Sequence, residues 1–170
     1  MAIIQRGRAI FEKELNKIYV EIVQQTSDMI PCDWNSFYLN GDVKDGDGGV
    51  FFFFNTKEKL DEFIYSHDIP EIYNVDEEIY YQGNHKLLEL INKLQQKFVE
   101  NDQEAWETIV MIVNEDRKLK IHFDYTKWNE GGFGPSQRIN FFEYKYLNRK
   151  PRNEKEKEIF SNMEKFEIAN

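Results

Sequence analysis

The chain is 170 residues long, 41% hydrophobic and 15% aromatic, which is enough apolar material for one hydrophobic core. Its single cysteine, Cys32, excludes an internal disulfide and an all-cysteine zinc site. The net charge is −9 and lies wholly in residues 1–85, where 16 acids face 7 bases, while residues 86–170 hold 15 of each. Such a surface repels nucleic acid and anionic membranes and attracts basic partners.

Met1–Ile10 is interrupted by Gln5, Arg6, Gly7 and Arg8, so no secretory leader is read there. The apolar runs Val50–Phe54 and Ile109–Val113 are too short to cross a bilayer. The expectation is a cytoplasmic, single-domain protein over residues 1–170, with residues 1–9 a poorly ordered extension.

Phe11, Leu15, Ile18, Ile22 and Met29 follow helical spacing and predict a helix over 9–29, ended by Pro31. Ser36–Val43 and Val50–Asn55 read as strands joined by Lys44–Gly49, whose Asp and Gly residues suit a hairpin turn. A third strand is expected near Phe63–Ser66. Asp76 is a candidate helix cap, and Gly83-Asn84 interrupts the helical pattern that follows it. Leu87, Leu90, Ile91, Leu94 and Phe98 then predict a helix to about Glu100.

Trp106–Val113 and Leu119–Tyr125 predict two more strands with a tight turn at Asn114–Arg117. In the second, Leu119, Ile121, Phe123 and Tyr125 face one way and Lys118, Lys120, His122 and Asp124 the other. That alternation predicts a sheet with one buried and one wet face. Lys127–Gln137 is a glycine-rich loop, Arg138–Leu147 a short aromatic helix ended by Pro151, and Asn153–Phe166 a charged terminal helix. The order α-β-β-β-α-β-β-α-α predicts an α+β fold, an antiparallel sheet of about five strands packed against helices.

No motif for catalysis or cofactor binding emerges. Counted from Asp45, a calcium loop would need oxygen ligands at Gly49 and a Glu at Thr56, and it fails at both. Gly131-Gly132-Phe133-Gly134 lacks the spacing of dinucleotide and P-loop motifs. Residue types alone allow one metal-site reading, a metal-dependent hydrolase built on His67, Asp68, His122 and Asp124. The expectation is nevertheless no metal, no cofactor and no catalytic residue. The densest acidic stretch, Asp42–Glu78, holds 11 acids and 3 bases. Within it Asp42, Asp45, Asp47, Asp61 and Glu62 are the expected partner-binding residues.

Four segments together resemble the YezG family of antitoxin or immunity proteins, which includes EsaG-like inhibitors of type VII-secreted nuclease toxins. They are Tyr65-Ser66-His67-Asp68-Ile69-Pro70-Glu71 with Tyr73-Asn74-Val75; Glu104-Ala105-Trp106; Lys118–Tyr125; and Arg138 with Glu143-Tyr144-Lys145-Tyr146-Leu147 and Pro151. The resemblance covers roughly residues 10–168. It implies a cytoplasmic inhibitor, not an enzyme, that neutralises a cognate, DNA-degrading nuclease toxin and binds neither nucleic acid nor membrane. A chaperone-like module for an exported protein is the other non-enzymatic reading, and homodimerisation is left open. Among the matching residues, His67, Asp68, Pro70, Trp106, Arg138, Tyr144, Lys145 and Tyr146 are read as structural.

Overall fold

A computed structural model describes residues 2–170, and the chain divides into two compact units, Met1–Asp124 and Tyr125–Asn170. The first unit holds α1 (Ala2–Met29), β1 (Ser36–Lys44), β2 (Asp47–Thr56), β3 (Lys59–Tyr65), α2 (Ile69–Tyr73), α3 (Glu77–Glu100), β4 (Thr108–Val113) and β5 (Leu119–Asp124). The second holds α4 (Pro135–Tyr146) and α5 (Glu154–Ala169). The five strands form one antiparallel sheet in the order β3-β2-β1-β4-β5, so the α+β expectation holds.

The core of the first unit follows from alternation along the central strands. Phe37, Leu39 and Val43 of β1, Phe52 and Phe54 of β2, and Ile109 and Met111 of β4 are buried in one cluster with α1 and α3. The helices contribute Leu15, Ile18 and Ile22 from α1 and Leu87, Ile91 and Leu94 from α3, spaced three and four apart. The sequence expectation of a wet second face does not hold. Phe51 is 8% exposed, Phe53 3%, Asn40 5% and Val110 4%, and Phe51 and Phe53 pack edge-to-face with ring centroids 6.0 Å apart. The Phe51–Phe54 run is therefore buried on both sides of the sheet.

Two glycines set how closely elements approach. A Cβ on Gly41 would lie 2.8 Å from Ile91 Cδ1, so the central strand receives α3 at a point where only hydrogen fits. Gly83 does not break its helix, contrary to the expected interruption. It lies inside α3, where a Cβ would meet Met29 Cγ at 3.2 Å, and its carbonyl accepts from Gln25 Nε2 at 3.0 Å. The glycine lets α1 and α3 pack tightly, and that contact outweighs its poor helix propensity.

Some boundaries differ from expectation. Helix α1 begins at Ala2 rather than residue 9 and takes in most of the segment expected to be a poorly ordered extension; Met1 lies outside the described residues. β3 starts at Lys59, ahead of the expected Phe63; its first four residues are exposed and carry no apolar alternation to mark them as strand. Trp106 precedes β4 instead of opening it. α4 opens at Pro135, a residue whose fixed φ suits the first helical turn. Asp76 caps α3 as expected, its carboxylate accepting from the Ile79 amide at 3.2 Å.

The second unit has its own small core of Trp128, Phe141, Phe160 and Met163. Tyr144 stacks on Phe160 with centroids 4.7 Å apart and donates to Glu164 at 2.7 Å, and Lys145 pairs with Glu167, so α4 and α5 are tied by ring and charge together.

Candidate partner-binding surface

The β1–β2 hairpin is built by the Asp45-Gly46 pair. Both adopt positive φ, 53° and 79°, and Lys44 faces Asp47 directly, which defines a two-residue turn of the twisted kind that hairpins favour. The predicted six-residue loop is thus a two-residue turn at the tip of longer strands. Asp45 and Asp47 are exposed there, and Asp47 accepts from the Gly48 amide at 2.8 Å. Asp42 stands behind them, half-buried, with one carboxylate oxygen accepting from Thr108 Oγ1 at 2.6 Å and the other from Asn40 Nδ2 at 3.2 Å.

The ladder brings two distant acids to the same end. Asp42 faces Thr108, and Thr108 faces Asp124, so the two aspartates flank one threonine about 10 Å apart. Glu107 precedes Thr108, its amide accepted by the Asp124 carbonyl at 3.3 Å and its own carbonyl accepting from the Val43 amide at 2.8 Å. Lys44 lies 3.7 Å from the Glu107 carboxylate. Gln95 of α3 donates to both the Val43 and the Trp106 carbonyls, at 3.1 and 2.6 Å, and fastens the helix to this end of the sheet. Exposed Asp102 and Glu104 lie on the connection leading into β4 here. Glu107 escaped the sequence reading because nothing local marks it, and Asp124 was read there only as a candidate metal ligand; strand register joins both to Asp42.

The other two expected binding residues stand elsewhere. Asp61 and Glu62 lie on β3 level with Asn55, whose side chain donates to the Leu60 carbonyl at 2.9 Å. Eight residues of β2 separate Asn55 from Asp47, about 25 Å. Glu62 is also engaged by Lys59 at 3.2 Å. The acidic run of the sequence is therefore two surfaces at opposite ends of the sheet.

Gly48 shapes the hairpin end as well, because a Cβ there would fall inside the Asp42 carbonyl oxygen. Gly48→Ala is expected to cost about 2 kcal/mol, since main chain and not a flexible side chain must move. Urea unfolding of the two proteins under identical conditions measures it.

The hydrolase constellation is not assembled. His67 follows β3 at one edge of the sheet, while His122 and Asp124 lie on β5 at the other edge, four strand spacings or about 19 Å away. Among the described residues no three His, Cys, Asp or Glu side chains are grouped to hold a metal ion. His67 instead packs against Tyr65 and Tyr80, with its Nδ1 3.2 Å from the Tyr80 hydroxyl. Burial of the ring in that contact holds its pKa below the usual histidine value, and burial pushes the Tyr80 hydroxyl up to about 12.

Of the other family-matching residues, Asp68 and Pro70 shape the first turn of α2, with Pro70 in a position where its missing N–H costs nothing. Trp106 is fully buried between Phe98 and Phe123. The Arg138 guanidinium lies 4.4 Å over the Trp128 ring, and Tyr146 packs on Phe142 with centroids 4.8 Å apart.

No helix among the described residues is long and apolar enough to cross a membrane. A family model described as immunity protein YezG-like matches residues 15–161. The type VII secretion system protein EsaG of Staphylococcus aureus is 34% identical over 146 residues, 86% of this chain and 89% of that protein. The immunity protein YezG of Bacillus spizizenii is 31% identical over 139 residues, 82% of this chain and 86% of its own. Its Bacillus subtilis counterpart is 29% identical over 145 residues, 85% of this chain and 95% of that protein. An acidic α+β chain of this length, matched along nearly all of it by immunity proteins, belongs to the YezG-like immunity protein family.

Proposed function

We propose that this immunity protein is the cytoplasmic, non-catalytic antitoxin of a DNA-degrading nuclease exported by a type VII-like secretion system. We further propose that the hairpin end of its sheet is the surface the toxin meets first. Family membership supports the immunity role, and the Staphylococcus aureus relative is itself a type VII secretion system protein. The observation that carries the choice of surface is the convergence of Asp42, Asp45, Asp47, Glu107 and Asp124 on one end of the sheet, with Lys44 among them. A nuclease must offer cations to phosphates, and an acidic end on a rigid hairpin presents competing anions to that surface without loop ordering. Asp61 and Glu62, at the far end, add long-range field but no contact in the same footprint.

The test is a DNA cleavage assay with the purified cognate toxin. An equimolar amount of this protein is expected to abolish cleavage. Full cleavage in the presence of a stoichiometric complex would mark a chaperone and not an antitoxin.

A further inference from the structure

At three places an Asp or Asn precedes glycine: Asn40-Gly41, Asp45-Gly46 and Asp47-Gly48. A glycine amide nitrogen is open to attack on the preceding side chain, because no Cβ shields it. Strand register and hydrogen bonding set the three pairs apart.

Asn40-Gly41 is locked into the centre of the sheet. The Val43 amide donates to the Glu107 carbonyl on the β4 side, so by the alternation of an antiparallel ladder Gly41 also turns its N–H toward β4. Asn40 is 5% exposed, and its Nδ2 donates to Asp42 at 3.2 Å. Asp45 and Gly46 form the turn itself, both at positive φ, and the Asp45 carboxylate makes no hydrogen bond to the Gly46 amide among the described residues.

Asp47-Gly48 differs from both. Lys44 and Asp47 close the two-residue turn as a bonded pair, so Val43 and Gly48 are the next, non-bonded pair and the Gly48 N–H points away from β1. β3 does not reach it, since its pairing with β2 covers residues 53–56. That N–H is donated instead to the Asp47 carboxylate, with nitrogen and Oδ1 2.8 Å apart. The nitrogen and the carboxyl group it would attack are thus already in contact at an exposed position, and no ladder bond has to break for them to react.

We propose that Asp47-Gly48 is a site of spontaneous cyclisation, through which Asp47 converts to isoaspartate. The Gly48 nitrogen forms a bond to the side-chain carboxyl carbon of Asp47. The protonated carboxyl loses its hydroxyl, which leaves as water with the amide proton, and a succinimide ring remains. Water then adds to the ring carbonyl that was the Asp47 main-chain carbonyl and opens its bond to nitrogen. Gly48 is left attached through the former side chain, and the former main-chain carbonyl becomes the free carboxylate. One water leaves and one enters, so the step is an isomerisation without a co-reactant. Charge is conserved, but the main chain gains a methylene opposite Lys44, which breaks the pair that closes the turn and moves β2 out of register with β1 at the tip. The functional consequence, slower association of the aged protein with toxin, rests on the reading that this end of the sheet meets the toxin; the chemistry does not.

Ageing the purified full chain in warm neutral buffer tests the chemistry without toxin. Trypsin cutting after Lys44 and Lys57 places both Asp-Gly pairs in one peptide, in which isoaspartyl methyltransferase labelling and fragmentation mass spectrometry locate the altered residue. In the folded chain isoaspartate is expected to accumulate at Asp47 at least about tenfold faster than at Asp45. In guanidinium, where the register and the 2.8 Å contact are lost, the two pairs are expected to react within about twofold of each other. Asp47→Glu, whose longer side chain cannot close the same ring, is expected to abolish labelling at 47 and leave Asp45 as it was. A folded chain that stays unlabelled at Asp47, or that labels Asp45 as fast, overturns the proposal. So does the same preference for Asp47 in guanidinium, which would make local sequence and not the fold its cause. Association with toxin is then measured on the aged protein: isoaspartate at Asp47 with an unchanged rate would overturn the role of the tip in the encounter and leave the modification standing.

Discussion

Exchanging Asp45 and Asp47 for lysine together is expected to slow association with a basic toxin by at least about tenfold at low salt. Both side chains are exposed at the hairpin tip, and the turn that carries them is fixed by the positive φ of Asp45 and Gly46. Lysine at 45 must also adopt positive φ, which it tolerates less well than aspartate; Asp47→Lys alone therefore serves as the variant without that cost. The double exchange moves the local charge by four units in a place where the partner's cations would approach. Dissociation should change less than association, because these groups act before contact is complete. Raising the salt to about 0.5 M should shrink the difference between wild type and variant, since screening then acts within a few ångströms. Stopped-flow association measured across a salt series reads all three effects. The matching exchange of Asp61 and Glu62, at the other end of β2, is expected to change the rate by less than about threefold, because those charges lie about 25 Å from the tip. Equal effects from the two pairs would mean that total charge, and not the hairpin end, governs the encounter.

That contrast rests on something the sequence could not display. Asp42–Glu78 is one acidic run along the chain, yet β2 carries its two halves to opposite ends of the sheet, and β4 and β5 return Glu107 and Asp124 to the first half. Register is a long-range property, and composition along the chain is blind to it. What is local was legible. The Asp-Gly turn announced the hairpin, the spacing Leu87, Ile91, Leu94, Phe98 announced α3, and Asp76 announced its cap. β5 alternated so cleanly that both its faces could be assigned, though its polar side lies on a sheet face that is largely buried. The five-residue α2 was missed because one turn and a half is too short to show a period. Gly83 misled for a related reason: its value lies in the α1 contact, which only the folded chain reveals. The metal reading failed through topology, with its residue types present but placed at opposite edges of one sheet.

Trp106→Ala is expected to be the most damaging single substitution to stability, at about 3–5 kcal/mol. The indole is 0% exposed and lies between Phe98, edge-on at 6.0 Å, and Phe123, tilted at 5.5 Å, so truncation opens a cavity lined by rings that cannot collapse into it. The loss also reaches the main chain. Trp106 offers its carbonyl to Gln95 of α3, and the next residue is Glu107 at the hairpin end, so loosening this site frees both the helix and the acidic surface. The indole N–H is buried without a hydrogen-bond partner, which is itself a cost. Phenylalanine keeps much of the ring contact and removes that unsatisfied donor. Trp106→Phe is therefore expected to cost no more than about 1.5 kcal/mol despite its smaller volume. Urea unfolding midpoints at a common slope separate the two. A phenylalanine variant as unstable as the alanine one would mean that the full indole outline, and not aromatic packing against Phe98 and Phe123, is what this end of the core requires.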